Sequence, residues 1–208
     1  MSQRSTRNTF VASEGVPFLM VLVVAGVVGV HYYGVFAAVA PAALLALAYF
    51  VFRDPHRPVP AVPLGVVSPV DGEVIAVGAT DHSITGGEAQ TISIRVDAFG
   101  TYTARAPVEG KIMDIATDAE RPGIGSGGLW IRTDEKDDVV LGFSRHRFGL
   151  PPRAFVRYGE RVGQGQRCAF IRLARVADVQ VPVTARIQVK TGQQVTAGSD
   201  VLARLPHH

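Results

Sequence analysis

The stretch SPVDGEVIAV runs from Ser68 to Val77, and a near-copy, APVEGKIMDI, follows from Ala106 to Ile115. Each copy passes from a small residue through Pro-Val, an acid and Gly into a charged residue and an apolar run. Proline presets φ and an acid before glycine suits a tight corner, so the pattern predicts a turn that leads into a strand. The pattern alone leaves open whether the first acid, Asp71, is a catalyst or only the corner of a turn that the fold uses twice.

The residues around the two copies are typical of a β domain. From Val66 onward, short runs rich in Val and Ile alternate with Gly and Asp turn signals, and spacings of about 8 to 12 residues are typical of antiparallel strands. A weaker third copy begins at Val181 with VPVTARIQVK. We therefore predict a mainly β domain over residues 66–206, a sandwich or barrel similar to the barrel-sandwich fold of lipoyl and biotinyl domains. Lys111 and Lys190 lack the flanking residues of a modifiable lysine, which argues against a swinging-arm carrier.

The N-terminal quarter of the chain has a different composition. From Gly15 to Phe52 there is no Asp, Glu, Lys or Arg. One membrane span needs about 20 residues, so this stretch predicts two short helices that turn at Gly34. We expect a tail over residues 1–15, a transmembrane or re-entrant helical hairpin over 16–52 and a Pro-rich linker over 53–65.

Two other interpretations of the apolar segment are open. A signal peptide would use Arg4 and Arg7 as its basic region and Ala38-Val39-Ala40 as its cleavage site, although a proline follows that site directly. A buried pair of core helices is the second. Basic residues on both sides of the hairpin, with Arg53 and Arg57 after it, favour two cytoplasmic ends. We therefore expect a protein of the cell inner membrane whose C-terminal domain is cytoplasmic.

Composition excludes several kinds of site. A single cysteine, Cys168, rules out an intramolecular disulfide, and the six histidines have no metal-ligand spacing. The formal charge is +3 and the pI is about 9.3, but no basic run carries interleaved aromatic residues, so we expect no nucleic-acid partner. A mild positive excess beside an apolar anchor points instead to an anionic lipid surface.

Several motifs in register resemble the short bacterial phosphatidylserine decarboxylase family. Arg-Asp-Pro at 53–55 follows the hairpin, Ser-Pro-Val-Asp-Gly follows at 68–72, and Arg-Ala-Pro-Val-Glu-Gly follows at 105–110. The match continues through 149–156 and 159–167. The resemblance covers nearly all of the chain after the N-terminal tail, with the motifs in the right order and at the right spacing.

The resemblance implies a specific chemistry. Family members are proenzymes in which a serine that follows a glycine attacks its own peptide bond and becomes a pyruvoyl group. That group forms a Schiff base with the amine of the lipid and accepts electrons as carbon dioxide leaves. An Asp in the Pro-x-Asp-Gly motif, matched here by Asp71, and a His ahead of the Arg-Ala-Pro motif assist the serine.

The chain departs from the family pattern at the reacting positions. The family's Ile-Arg-Phe-Gly-Ser-Arg segment matches residues 171–176 without a gap, which puts Ala174 at the glycine and Arg175 at the serine. Tyr102 stands at the histidine. Arginine has no nucleophilic oxygen, and a tyrosine with an ordinary pKa near 10 is a poor base at neutral pH. Only Asp71 remains, so we expect no pyruvoyl cofactor and favour a structural role for this acid.

The leading interpretation is a membrane-anchored family member of phospholipid metabolism that does not process itself and that binds anionic phospholipid. Arginine's planar fork suits phosphate, and the candidate contacts are Arg105, Arg153, Arg172 and Arg175.

Two alternatives stay open. One is an active decarboxylase, converting phosphatidylserine to phosphatidylethanolamine through a pyruvoyl group on a displaced serine, Ser126 or Ser199, each of which follows a glycine. The other is a structural partner of an active relative or of a second copy. The sequence alone does not decide whether the chain is an enzyme.

Overall fold

The computed structural model describes residues 15–53, 55, 57–80, 88–115, 128–146, 152–171 and 174–207. The chain divides into two compact units, residues 1–56 and residues 57–208. In the described ranges, helices lie in the first unit and the strands β1 to β14 in the second.

The first unit contains a pair of apolar helices. Helix α1 covers Val16–Tyr33, a 3₁₀ turn covers Val35–Ala38 and helix α2 covers Val39–Phe52. Gly34 lies between them with a φ of 84°, a left-handed conformation that glycine adopts without strain. The predicted pair of helices turning at Gly34 is therefore confirmed. By length and composition α1 is apolar enough to cross a membrane, with a mean hydropathy of 2.0, whereas α2 is shorter.

The two helices approach each other at small residues. A Cβ placed on Gly26 would lie 3.5 Å from the side chain of Pro41, so the glycine permits close contact between the helices. The rings of Phe18 and Phe52 stack with their centroids 6.0 Å apart. Close packing at small residues is the way in which apolar helices associate in lipid.

The described part of the second unit is built of short strands. They are β1 (Gly65–Val67), β2 (Gly72–Thr80), β3 (Ala89–Val96), β4 (Thr103–Arg105), β5 (Gly110–Ile115), β6 (Leu129–Arg132), β7 (Asp138–His146), β8 (Arg153–Ala154), β9 (Arg161–Val162), β10 (Arg167–Phe170), β11 (Ala174–Pro182), β12 (Arg186–Ile187), β13 (Gln194–Val195) and β14 (Val201–Arg204). The predicted mainly β fold is therefore confirmed.

Eight of these strands form one antiparallel sheet in the order β13-β2-β3-β11-β7-β6-β5-β9. Two smaller sheets have the orders β1-β14-β12 and β4-β10-β8. Strand β11 lies between β3 and β7, and its Val179 pairs with Ile92 on one side and Leu141 on the other. All three side chains are fully buried. Cross-strand apolar pairs stabilise a sheet, so β11 is fixed in the core from both sides.

The two copies of the turn motif occupy equivalent places in this fold. Strand β2 starts at Gly72, which pairs with Val195 of β13, and strand β5 starts at Gly110, which pairs with Val162 of β9. Glycine is required at both starts, because a Cβ would collide with a backbone carbonyl of β3 in the first copy and of β6 in the second. The repeat in the sequence therefore reflects a repeat in the structure.

The Pro-rich segment packs on the β domain from Arg57 onward. The hydroxyl of Ser199 donates a hydrogen bond to the carbonyl of Pro58 at 3.0 Å. A Cβ on Gly165, whose φ is 71°, would collide with the side chain of Val59. Residues 57–64 therefore form a strap on the second unit.

Candidate functional site

One end of the eight-stranded sheet brings together the positions matched to the family's reacting residues. Asp71 directly precedes β2, and its carboxylate accepts a hydrogen bond from the backbone of Thr101. The next residue, Tyr102, accepts a hydrogen bond at its carbonyl from the N–H of Ile171, at 2.9 Å. The N–H of Ala174, where β11 begins, donates back to the carbonyl of Ile171 at 3.0 Å. Short backbone contacts thus link the matched positions.

The carboxylate of Asp71 is buried and saturated with donors. Its Oδ1 accepts hydrogen bonds from the Arg57 guanidinium and, at 2.9 Å, from the N–H of Ala197. Its Oδ2 accepts from the same guanidinium at 2.8 Å, from the N–H of Thr101 at 2.9 Å and from the Thr101 hydroxyl at 3.0 Å. A carboxylate offers about four lone-pair sites. These five hydrogen bonds therefore leave no acceptor site for a reacting group.

The charge state of Asp71 follows from the same contacts. Burial by itself raises the pKa of a carboxyl group, because it disfavours the charged form. Hydrogen bonds from Arg57, Thr101 and Ala197, together with the charge of Arg57, outweigh that effect and hold the pKa of Asp71 below its ordinary value. A carboxylate with a lowered pKa is a weak base, so Asp71 is poorly suited to take a proton from a hydroxyl.

The acid of the second copy has a different environment. The side chain of Glu109 is 66% exposed, and it contacts Arg161 at 3.6 Å. The same local motif therefore holds a buried, fully bonded acid in one copy and a solvent-exposed acid in the other. The turn is common to both copies, whereas the buried set of hydrogen bonds is found at Asp71.

Tyr102, at the position matched to the family's histidine, is half-buried and packs against the core. Its hydroxyl donates a hydrogen bond to the carbonyl of Ala98 at 3.0 Å. The phenolic proton therefore closes the turn between β3 and β4.

The positions matched to the family's glycine and serine lie at the start of β11. Ala174 is buried and pairs with His146 of β7. Arg175 is exposed. Val176 then pairs with Arg95 of β3 and with Ser144 of β7. The side chain at position 175 is thus exposed and carries a guanidinium, where the resemblance implies a serine hydroxyl.

The four arginines chosen as phosphate contacts have different environments. Arg153 on β8 and Arg175 on β11 are exposed. Arg105 is only 8% exposed, and its Nη1 donates a hydrogen bond to the carbonyl of Gly165 at 3.0 Å. Arg172 lies outside the described residues. Accessible guanidinium groups are therefore found at Arg153 and Arg175.

The two displaced serines also differ. Ser126 lies outside the described residues. Ser199 is half-buried in a turn beside Asp71, because Ala197, two residues earlier, donates to the Asp71 carboxylate. Gly198, between Ala197 and Ser199, has a φ of 74°, a backbone conformation that favours glycine. The turn therefore accounts for a glycine before Ser199.

A cavity of about 280 Å³ opens elsewhere on the domain. Its lining includes Leu64, Glu109 and Asp134, but not Asp71 or Tyr102. In the described ranges, no group of three His, Cys, Asp or Glu side chains could hold a metal ion. This cavity is therefore separate from the contacts of Asp71.

Sequence reasoning missed the partners of Asp71. In the sequence Arg57 stands out only as a charge that flanks the hairpin, and nothing marks Thr101 or Ala197 as donors to Asp71. Arg57 could have been found from its position, since it is the basic residue with which the strap begins. The backbone donors have no signature in the sequence, because any residue except proline supplies an N–H.

Comparison with known proteins gives the family. No protein-family model matches the chain. A phosphatidylserine decarboxylase proenzyme of Burkholderia ambifaria (strain MC40-6) is 33% identical over 213 residues, which cover 95% of this chain and 97% of that protein. Proteins of the same name from Burkholderia cenocepacia (strain HI2424) and Burkholderia multivorans (strain ATCC 17616 / 249) match with the same identity and coverage.

Among solved structures, glucose permease IIA from Mycoplasma capricolum aligns with a TM-score of 0.48 and 19% identity, over 67% of this chain and 94% of its own. That likeness is too weak to carry an argument. The curated relatives match across almost the whole of both chains, and they confirm the resemblance seen in the motifs. The chain belongs to the phosphatidylserine decarboxylase family.

Proposed function

We propose that this protein is a membrane-anchored member of its family that stays uncut and binds anionic phospholipid instead of decarboxylating it. The observation that carries the proposal is the bonding of Asp71. All five of its hydrogen bonds come from the fold, and its pKa is lowered. The one assisting residue that remains is thus committed to structure.

The other two reacting positions support the same conclusion. An N→O acyl shift needs a hydroxyl, and position 175 carries a guanidinium, which stays protonated and has no nucleophilic oxygen. A base must also accept the hydroxyl proton, and the Tyr102 hydroxyl is itself a donor to Ala98. Three requirements of one step are therefore unmet together.

The apolar hairpin supports a place at a membrane. Helix α1 has the length and composition of a span, and we infer that the hairpin anchors the chain in the cell inner membrane with the β domain in the cytoplasm. Arg57 is bonded to Asp71 and so does not act as a free charge beside the anchor. The orientation therefore depends on Arg4, Arg7 and Arg53.

Lipid binding is proposed for the exposed arginines. Arg153 and Arg175 present guanidinium groups to solvent, and guanidinium forms paired hydrogen bonds with phosphate oxygens. Binding to phosphatidylglycerol vesicles should weaken as salt rises, because exposed charges are screened within about 8 Å at physiological ionic strength. The double variant R153Q/R175Q should weaken it further. Equal binding of the wild type and of R153Q/R175Q to these vesicles would exclude the two arginine side chains as the lipid contact.

Intact-mass spectrometry, run together with a decarboxylation assay on phosphatidylserine vesicles, tests the proposal directly. The purified chain should have the mass of one uncut polypeptide, 22.2 kDa, and should release no carbon dioxide. A shorter fragment with a pyruvoyl end, together with carbon dioxide release, would overturn the proposal.

One observation favours a second candidate, an active decarboxylase. Ser199 follows a glycine and lies in the turn whose Ala197 is hydrogen-bonded to Asp71. Cleavage there would release residues 199–208 with a pyruvoyl end. The same mass spectrum separates the two candidates, and S199A then shows whether that serine is the source of any fragment. A role as partner of an active relative is the remaining proposal, and co-purification would detect it.

A further inference from the structure

Phe99 is an exposed aromatic side chain on the β domain. It is 84% exposed, more than the other large apolar side chains described in this unit, such as Tyr158 at 74% and Val183 at 46%. A single exposed apolar residue on a soluble domain is ordinary. The position of Phe99 is less ordinary, because it lies at the tip of a turn at the end of the sheet that holds Asp71 and Tyr102.

Several contacts hold this turn in one conformation. The N–H of Phe99 donates to Asp97 Oδ1 at 3.0 Å, and the N–H of Gly100 donates to the Asp97 carbonyl at 3.1 Å. The Tyr102 hydroxyl donates to the carbonyl of Ala98. Because hydrogen bonds close the turn on both sides of Phe99, the backbone that carries the exposed ring is held in one conformation by the fold.

Asp71 supports both ends of the same turn. Its backbone carbonyl accepts from the N–H of Asp97 at 2.9 Å, and its carboxylate accepts from both donors of Thr101. A Cβ on Gly100 would lie 2.8 Å from the Cβ of Asp71, so the turn also fits closely against this residue. Asp71 and Tyr102 thus hold the turn from Asp97 to Thr101, which we call the Phe99 tip.

Two exposed arginines lie on the strands next to the Phe99 tip, one on each face of the sheet, because successive strand residues point to opposite faces. Arg95 on β3 pairs with Val176, the neighbour of Arg175 on β11, and both arginine side chains are exposed. Arg95 lies 3.6 Å from Glu73, which neutralises part of its charge. Arg175 has no such carboxylate among the contacts of the described residues. An aromatic tip with a cation beside it matches the boundary of an anionic bilayer, where apolar tails meet charged headgroups.

We propose that the Phe99 tip is a second membrane contact, in which the ring enters the boundary of an anionic phospholipid bilayer and Arg175 faces the headgroups. This inference rests on the proposed function, because it takes the lipid surface as the place where the protein works. It assigns new roles to three positions of the reacting set: Asp71 and Tyr102 shape the turn, and Arg175 supplies charge beside it.

Fluorescence in nanodiscs tests the contact on the full chain. The protein has one tryptophan, Trp130, whose emission in the wild type gives the baseline. F99W adds an indole at the tip, and Y158W adds one at a similarly exposed residue on another turn. In discs of brominated phosphatidylcholine with phosphatidylglycerol, the added F99W signal should shift to the blue and lose intensity. The added Y158W signal should neither shift nor lose intensity. If the F99W signal also showed no shift and no quenching beyond that of Y158W, the proposal would be overturned.

A second arm tests the role of Arg175. Quenching of the added F99W signal should be stronger in discs that contain phosphatidylglycerol than in discs of phosphatidylcholine alone, and R175Q should remove that difference. Equal quenching with and without the anionic lipid would refute the role of Arg175. The proposed function is tested by a different measurement. A cut chain would appear in the intact-mass spectrum and would leave the quenching of F99W unchanged, so the two proposals can fail independently.

Discussion

Replacing Asp71 should destabilise the β domain far more than replacing its counterpart in the second copy of the motif. The side chains of Asp71 and Arg57 are 12% and 16% exposed. Removing one partner of a buried ion pair leaves an uncompensated charge and costs about 3 to 5 kcal/mol. D71N keeps the shape but turns one acceptor into a donor that faces other donors. We therefore expect a loss of about 3 kcal/mol in the free energy of unfolding.

E109Q is the matched control, because Glu109 occupies the equivalent turn. Its side chain is 66% exposed and lies 3.6 Å from Arg161, and exposed pairs of this kind often contribute nothing measurable. Urea titration of the full chain in mild detergent, followed by Trp130 emission, measures both variants. With a slope near 2 kcal/mol per M, the D71N midpoint should fall by about 1.5 M. Equal losses for D71N and E109Q would refute the argument from burial.

The same pair makes a prediction about pH. The pKa of Asp71 is lower in the folded chain than its ordinary value. A group of this kind stabilises the fold fully above its unfolded pKa, and the stabilisation is lost as the pH falls through the folded pKa. The difference in stability between wild type and D71N should therefore be constant near neutral pH and should shrink below the ordinary pKa of aspartate. A difference that stays constant into acid would contradict the assigned charge state.

Four further outcomes are expected. The full-length chain should be extracted only by detergent, and deleting residues 1–52 should leave a soluble β domain, as cell fractionation would show. Full-length chain in the soluble fraction would argue against a membrane anchor. Gly72→Ala should prevent folding, because the new Cβ would collide with a backbone carbonyl. Gly192→Ala places its Cβ in open space, so in a urea titration it should lose only the strain energy of a φ of 87°, about 1 kcal/mol. Cys168 should react with a maleimide only after unfolding, since burial raises the pKa of its thiol to about 12. Arg175→Ser should change stability by less than about 0.5 kcal/mol, because the side chain is exposed.

Much of the fold could be predicted because its signals are local. The absence of charge from Gly15 to Phe52 predicts the hairpin, and Gly34 marks its turn. Alternating Val and Ile between glycines predicts the strands. The Pro-Val-acid-Gly repeat also predicts equivalent strand starts, because a turn depends on residues that are adjacent in the chain.

The candidate site could be predicted only in part. Asp71 was identified, but its donors come from residues 14, 30 and 126 positions away in the sequence. Glu109 has almost the same neighbours in sequence and is exposed. Local pattern therefore cannot distinguish the buried acid from the exposed one, since the difference arises from the strap on one side and from the C-terminal turn on the other.

The contacts predict that positions 71, 102 and 175 tolerate substitution to different degrees. At position 175 the side chain is exposed, so an arginine in place of a serine there has little effect on the fold. At position 102 a tyrosine gains a hydrogen bond to Ala98 and closes a turn. At position 71 a residue without a carboxylate leaves the Arg57 guanidinium buried without its partner, a loss of about 3 to 5 kcal/mol. If the chain does not process itself, as we propose, the serine and the histidine of the family can be replaced at little cost to the fold, whereas the aspartate stays because the fold depends on it.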